Sequence, residues 1–448
     1  MSSNWPIVRI EDIKADRKNA ITIGPFGSRM KSDCYTESGI AVIRGTNLGP
    51  TSHFINDFVY ITEEKADELA SCNVYKNDLV FPHRGSIGEV GIVESEQRYV
   101  LSSSLMKLTC ATDKACPKFI YYFFKSSTGR HELLKNASQV GTPGIGQPLA
   151  SLKSIELSLP PLKTQECIAK ILSSLDEKIY INQMINQTLE QMAQAMFKSW
   201  FVDFEPVKAK IAVLNTGGSQ EDATLAAMSA ISGKSIRSLD IYKHEHPTKY
   251  EELRITANLF PNTLVESEIG EIPEGWESAR LSDIAILNYG KALKKTERID
   301  GPYPVYGSGG VTGFHNNYLV TGPGIIIGRK GTIGTIYWED SNFFPIDTVY
   351  YVVNKKDTSL YYLYYLLQTL NLPNMNTDAA VPGLNRENVY RLSVLKPKEC
   401  IIECYSKYVS IFRESINANK KTNETIITTR NKILPKLFSG ELSSQEFL

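Results

Sequence analysis

Trp276-Glu277-Ser278-Ala279-Arg280-Leu281-Ser282-Asp283-Ile284 repeats the frame of Trp5-Pro6-Ile7-Val8-Arg9-Ile10-Glu11-Asp12-Ile13, with Trp, Arg, Asp and Ile at one constant offset. The chain therefore restarts near residue 270. Further on, Arg84-Gly85-Ser86-Ile87-Gly88 is echoed by Lys330-Gly331-Thr332-Ile333-Gly334, and Pro143-Gly144-Ile145 by Pro382-Gly383-Leu384. A chain written twice in the same order predicts two similar units with an internal two-fold axis, suited to a target of two parts.

Within the first copy, Trp5 to Pro161, short apolar runs such as Ile40-Ala41-Val42-Ile43 and Asp78-Leu79-Val80-Phe81 alternate with Gly, Asn and Pro. They read as strands and turns, with short helices at Thr62 to Ala70 and Pro117 to Lys125, so the unit is mixed α+β. Between Thr164 and Trp200 the texture changes to a stretch free of Gly and Pro. Steps of four and three connect Ile168, Leu172, Leu175, Ile179, Asn182, Asn186, Leu189, Ala193, Met196 and Trp200. The same alternation runs through Val409, Phe412, Ile416, Asn419, Asn423, Ile426, Arg430, Ile433 and Leu437. These are heptad seams, and a narrow seam needs a partner helix.

Each seam helix, roughly 35 residues at about 1.5 Å per residue, predicts a rod of about 50 Å. A two-fold axis across the rods requires them to pair antiparallel, holding the globular parts apart. Polar seam positions fix register at a cost in stability. Replacing Asn182 and Asn419 by Leu is therefore expected to raise thermal stability while loosening register. The segment from Val202 to Glu266 has no counterpart in the other copy. Asn215-Thr216-Gly217-Gly218-Ser219 and the Ala-rich stretch after it read as a loop with a short helix, or a linker. The predicted organisation is α+β: mixed domains at 1–160 and 266–397, coiled-coil helices at 161–202 and 398–442, and a linker or insertion at 203–265.

Composition bounds the function. The 448 residues carry 49 Lys and Arg against 49 Asp and Glu, a formal net charge of zero. A protein that binds DNA by itself through many phosphate contacts is usually basic, so neutrality argues against a self-sufficient DNA binder and leaves open local basic loops, or a partner that supplies the rest of the positive surface. Seven cysteines without zinc-ligand spacing argue against a disulfide framework or a structural metal. No run approaches the roughly 18 apolar residues that span a bilayer, and a cytoplasmic protein is expected.

Several further stretches complete a pattern. The restart reads Gly270-Glu271-Ile272-Pro273-Glu274-Gly275-Trp276, Leu159-Pro160-Pro161-Leu162 with Gln165-Glu166 enters the first long helix, and Lys436-Leu437-Phe438-Ser439-Gly440-Glu441-Leu442 follows the second. In this order the chain resembles, over nearly its whole length, the DNA-specificity (S) subunits of type I restriction-modification enzymes. The resemblance implies that each mixed domain is a target recognition domain reading one half of a split double-stranded DNA site. It implies two methyltransferase (M) subunits docked on the helices, with restriction (R) subunits added in host defence. S-adenosylmethionine, ATP and magnesium would then belong to the partner subunits, none being bound by this chain.

Candidate DNA-binding residues follow from loop chemistry, since small residues let backbone amides and basic side chains approach phosphate. In the first copy they are Ser28, Arg29 and Lys31 of a Gly-rich basic turn, Arg44 and Asn47 after a strand, and His83, Arg84 and Ser86. In the second they are Lys291 and Lys294, Tyr306 and Ser308, and Arg329, Lys330 and Thr332. An Arg can grip guanine bidentately, and a Lys or hydroxyl can hold phosphate.

No catalytic residue is identified. Gly233-Lys234-Ser235 lacks the first glycine of a P-loop, with Met228 in its place, and Leu159-Pro160-Pro161-Leu162 lacks the amide and aromatic of an amino-methyltransferase motif. The alternative reading is a coiled-coil scaffold or adaptor unrelated to DNA.

Overall fold

The computed structural model describes residues 5–138, 142–375 and 383–442. By its internal contacts it divides into unit 1, Met1–Ile185 with Asn419–Leu448, and unit 2, Asn186–Ala418. The repeated Trp-Arg-Asp-Ile frame has the same local role in both. The Asp12 carboxylate accepts the Arg9 backbone N–H at 2.9 Å, and Asp283 accepts that of Arg280 at 3.0 Å. Each closes the entry to a one-turn helix, Ile10–Ile13 or Leu281–Ile284, whose last Ile is buried. The strand just before it pairs with one just ahead of a long helix: Ile7–Arg9 with Glu156–Ser158, and Glu277–Arg280 with Ser393–Lys396.

Between these closures, among the described residues, each unit has two larger sheets, and unit 1 also a short pair of Ala137–Ser138 with Gly144–Ile145. In unit 1, Ile21–Ile23, Leu105–Leu108, Leu79–Pro82 and Gly91–Ile92 form an antiparallel sheet in that spatial order. Unit 2 repeats it with Ala285–Tyr289, Val349–Asn354, Gly324–Gly328 and Ile336–Glu339. The second sheet of each contains one parallel pair, Ile40–Ile43 beside Tyr99–Leu101 and Tyr303–Gly307 beside Phe344–Pro345. An apolar helix covers each core: Pro117–Lys125, opened by Pro117 at its first turn, and Leu360–Thr369, capped by the Ser359 hydroxyl.

The long helices are Leu162–Phe201 and Glu399–Phe438, 40 residues each and thus about 60 Å long. Gln165, buried, fixes the first entry by accepting the Cys116 N–H at 2.8 Å and donating to the Pro160 carbonyl at 2.8 Å. Every seam residue at Leu172, Leu175, Ile179, Asn182, Asn186, Leu189, Met196, Phe412, Ile416, Asn419, Asn423, Ile426 and Ile433 is buried or half-buried. The pairing is antiparallel within each unit: Asp176 meets Arg430 and Asn182 meets Asn423 in unit 1, while Glu190 meets Arg413 and the Ala193 carbonyl meets the Tyr405 hydroxyl in unit 2.

The seam asparagines require a correction. Asn182 donates to the Asn423 side-chain oxygen at 2.8 Å, and Asn423 donates onward to the Ile179 carbonyl at 3.3 Å. Antiparallel pairing crosses the equivalent positions, so the partner of Asn182 is Asn423 rather than Asn419. Asn182→Leu alone is now expected to destabilise by about 1–3 kcal/mol, because a buried amide oxygen loses its donor. Adding Asn423→Leu should recover most of that loss; urea unfolding of the full chain checks both.

The insertion is also more ordered than a linker. It folds as helices Glu205–Asn215, Gln220–Ser232, Ile236–Glu245 and Pro247–Leu259, opened or closed by Ser219 and Ser235 caps and a left-handed Gly233. Ala227, Met228, Leu239, Leu253 and Ala257 form a small core of their own. Two of the five are Ala, which carries little hydrophobic contrast in the sequence.

Candidate nucleic-acid interface

The echoed loops come together in the same way in both units. Arg84 bridges to Gly144, and Lys330 bridges to Gly383. Ile145 donates its N–H to the His83 carbonyl at 2.9 Å, and Leu384 donates to that of Arg329 at 2.9 Å. Pro382 of the second echo lies outside the described residues. The glycines flanking the hydroxyl residue take left-handed backbone in each copy: Gly85 and Gly88 at φ of 82° and 86°, Gly331 and Gly334 at 78° and 69°. Side chains with a β-carbon resist that region, which is why the glycines recur at the same spacing.

This shared frame aligns the units residue by residue. Gly24 donates to the Leu105 carbonyl and Gly290 to that of Val349, while Pro82 faces Leu105 as Gly328 faces Val349. Ile23 thus corresponds to Tyr289, His83 to Arg329, Arg84 to Lys330 and Ser86 to Thr332. A second loop abuts each turn. In unit 1 a β-carbon on Gly45 would lie 2.8 Å from the Ser86 hydroxyl. In unit 2 the Ser308 carbonyl accepts from the Thr335 hydroxyl at 2.8 Å and the Tyr337 hydroxyl at 3.2 Å.

Arg84, Ser86, Lys330 and Thr332 are exposed on these turns. Ser308 is half-buried, while Arg29, Lys31, Lys291 and Lys294 are exposed. The Arg29 guanidinium donates to the Glu68 carbonyl at 3.1 Å, and Lys294 lies 3.8 Å from Glu297. The Ser28 side chain is outside the described set. Arg44, half-buried, donates to the Asp57 carbonyl at 3.0 Å. His83, half-buried, has its Nε2 3.1 Å from the Ser103 carbonyl, and burial holds its pKa below the ordinary imidazole value.

Two candidates are withdrawn. Asn47 is fully buried; its amide accepts the Arg44 N–H and donates to the Ile55 and Asp57 carbonyls, so it builds its own turn. Tyr306 is buried with its hydroxyl donating to Glu339 at 2.8 Å, and burial keeps it un-ionised. Both stand at matching loop positions in their units, and no local sequence pattern marks either side chain as turning inward.

The structure adds Tyr289, Tyr350 and Arg386, which the loop reading missed, to Arg329 and Lys330. In unit 2, Arg329, Lys330, Tyr289, Tyr350 and Arg386 line an open cleft of about 420 Å³. The Arg329 guanidinium sits 5.0 Å from the Tyr289 ring centre, and that of Arg386 sits 4.9 Å from the same ring. Burial pushes the Tyr350 hydroxyl up to about 12, so it stays neutral beside Arg329, and it donates to the Leu384 carbonyl at 2.9 Å. A cluster of cations and aromatic faces of this kind can stack on and hydrogen-bond to nucleic acid.

The match to known proteins agrees with this geometry. The family model described as type I restriction modification DNA specificity domain matches residues 4–191 and 273–426, one match per copy of the repeat. The chain is 31% identical over 403 residues to the type I restriction enzyme HindI specificity subunit of Haemophilus influenzae, covering 82% of this chain and 87% of that protein. It is 23% identical to the MjaIX specificity subunit of Methanocaldococcus jannaschii, covering 87% of this chain and 85% of the other. A crystal structure of a type I restriction-modification S subunit from M. genitalium shares the fold at a TM-score of 0.51 and 18% identity, covering 97% of this chain and 96% of that one. Among the described residues no helix is long and apolar enough to cross a membrane. A two-domain family match over most of its length, joined to duplicated basic loops and paired long helices, makes this chain a member of the type I restriction-modification DNA specificity family, whose role is to recognise DNA.

Proposed function

We propose that this chain reads a split double-stranded DNA site, one half with each unit, and presents it in the cytoplasm to two methyltransferase subunits and to restriction subunits. The observation that carries the reading is the duplicated turn: a cation and a hydroxyl residue on left-handed glycines, bridged to a second loop, in each unit. Two copies of one exposed basic device suit two stretches of the same polymer. The exposed Ile181, Met184 and Ile185 on the first long helix in unit 1 offer an apolar face for a methyltransferase subunit. Methyl transfer and ATP-driven cleavage are assigned to the partners, together with S-adenosylmethionine, ATP and magnesium.

The test is exchange. Replacing residues 1–160 by those of a relative with another specificity should change one half of the methylated sequence and leave the other intact; a change in both halves, or in neither, overturns modular reading.

The shared turns also make a quantitative case for phosphate contact, because cations that recur in both readers suit the invariant backbone better than the bases. Arg84→Gln combined with Lys330→Gln should weaken binding of the assembled complex on all sequences alike. The slope of log affinity against log salt should fall by about 2, one unit per lost phosphate contact, as measured by fluorescence anisotropy titrations.

A further inference from the structure

The aligned frames separate two kinds of position. Cation and hydroxyl persist at Arg84 and Lys330 and at Ser86 and Thr332. The residues beside them do not persist. Where unit 2 has Tyr289, Tyr350, Arg329 and Arg386, the corresponding places in unit 1 hold Ile23, Met106, His83 and Gln147. The last correspondence follows from Ile145 and Leu384, which make the same backbone bond two residues earlier. Contacts to phosphate can be common to any two DNA segments, whereas contacts that choose a base must differ when the bases differ. The variable set is therefore the place for specificity.

Its chemistry points to one base. Two guanidiniums flank the single ring of Tyr289, which is 46% exposed. Among the described residues, the buried Nε atoms of Arg329 and Arg386 have no hydrogen-bond partner. Among the described residues lining the cleft, one carries a carboxylate, Glu387, with its oxygen 3.5 Å from Arg386 Nε. Two guanidiniums beside one ring thus share, among the described residues, a single carboxylate of the cleft lining. Both guanidiniums lie over the Tyr289 ring within 5.0 Å while the cleft stays open. A fixed guanidinium fork matches the two acceptors on the major-groove edge of guanine, O6 and N7, which no other base presents together.

We propose that Arg329 and Arg386, oriented by Tyr289, select a guanine in the half-site read by unit 2. The inference rests on the split-site reading above and extends it to a base and its readers. Unit 1, with His83 and Gln147 at these places, selects a different base at the equivalent step.

The test uses the complex of the full chain with its methyltransferase subunits. Domain exchange first assigns which half of the methylated sequence belongs to unit 2. Arg329→Gln, Arg386→Gln and Arg386→Lys complexes are then titrated against duplexes varied at each position of that half, including 7-deazaguanine, which lacks the N7 acceptor. The expected result is loss of about tenfold or more in discrimination at one G·C pair of the unit 2 half, with the other half unchanged. In that case 7-deazaguanine weakens the parent complex but hardly affects the Gln variants, and Arg386→Lys behaves like Arg386→Gln, since Lys keeps the charge but not the fork. Equal weakening on every sequence, rescued by Arg386→Lys, would instead make these residues phosphate contacts and overturn the proposal. So would a unit 2 half without a G·C pair. Should exchange succeed while these variants read as the parent does, guanine selection fails and split-site reading stands; should exchange itself alter both halves, the underlying reading fails.

Discussion

Arg430→Ala should cost unit 1 about 3–5 kcal/mol, the penalty for removing one partner of a buried ion pair. Asp176 is fully buried, and Arg430 is buried against it while also donating to the Pro50 carbonyl at 3.1 Å. The other Asp176 oxygen accepts from the Tyr122 hydroxyl at 3.1 Å. Burial already raises the Asp176 pKa, with Arg430 acting in the opposite direction. Without the guanidinium, the carboxyl of the folded variant moves further above its unfolded value. A raised folded pKa favours the folded state below it and penalises that state as pH rises through it. The deficit of the variant against the parent should therefore be smaller at pH 5 than at pH 8. Asp176→Leu added to Arg430→Met should return most of the loss, since a packed apolar pair avoids desolvating two charges. Urea unfolding followed by hydrogen exchange over unit 1 measures all of this.

Unit 2 carries a matching but differently built lock. Arg413 pairs with Glu190 at 2.7 Å, donates to the Tyr365 hydroxyl at 2.8 Å and stacks on Trp338 and Tyr364 at 5.1 and 4.7 Å. In each unit an Arg of the second long helix, a carboxylate of the first and a Tyr of the domain's covering helix are linked, through Asp176 in unit 1 and through Arg413 in unit 2. Such a lock couples the position of the reader to the helix pair, so the helices can act on the reader as one body within each unit.

Trp200→Ala is expected to cost a further about 3–5 kcal/mol, here in unit 2, from lost transfer energy and the cavity left behind. Trp200 is 1% exposed, with Phe260 edge-on at 5.1 Å and Tyr405 and Tyr408 at 6.0 and 6.2 Å. Phe260 lies at the end of the insertion, so this side chain ties the inserted helices to the end of the first long helix. Hydrogen exchange should show lost protection among the 186–418 amides and little change among 5–138. Loss spread evenly over both units would contradict this assignment of the core.

Periodicity is local, and what is local was legible. The two seams, the restart at Trp276 and the strands at Ile40–Ile43 and Leu79–Pro82 could be read because their signal lies within a few turns or a few residues. The positive-φ glycines at 85, 88, 331 and 334 were readable for the same reason, since a backbone demand shows directly as a residue type. Polar side chains carry no such signal. Asn47 and Arg44 are both polar residues on one turn, yet only packing decides that Asn47 turns inward. Arg430 lies on the seam and Arg413 beside it, and neither announces a buried partner 254 residues away at Asp176 or 48 away at Tyr365.

By itself the sequence determined that there are two units of one design, each followed by a helix that must find a partner, because repetition and hydrophobic period are properties of the chain. Tertiary structure decided which loops meet, which amides cross the seam and which cations share an aromatic ring. Tyr289, Arg329 and Arg386 are dispersed along unit 2, and the strand pairing of Ala285–Tyr289 with Val349–Asn354 brings the first beside the second, as the Leu384 bond brings the third. Convergence of distant residues depends on the closed backbone, and no local pattern encodes it.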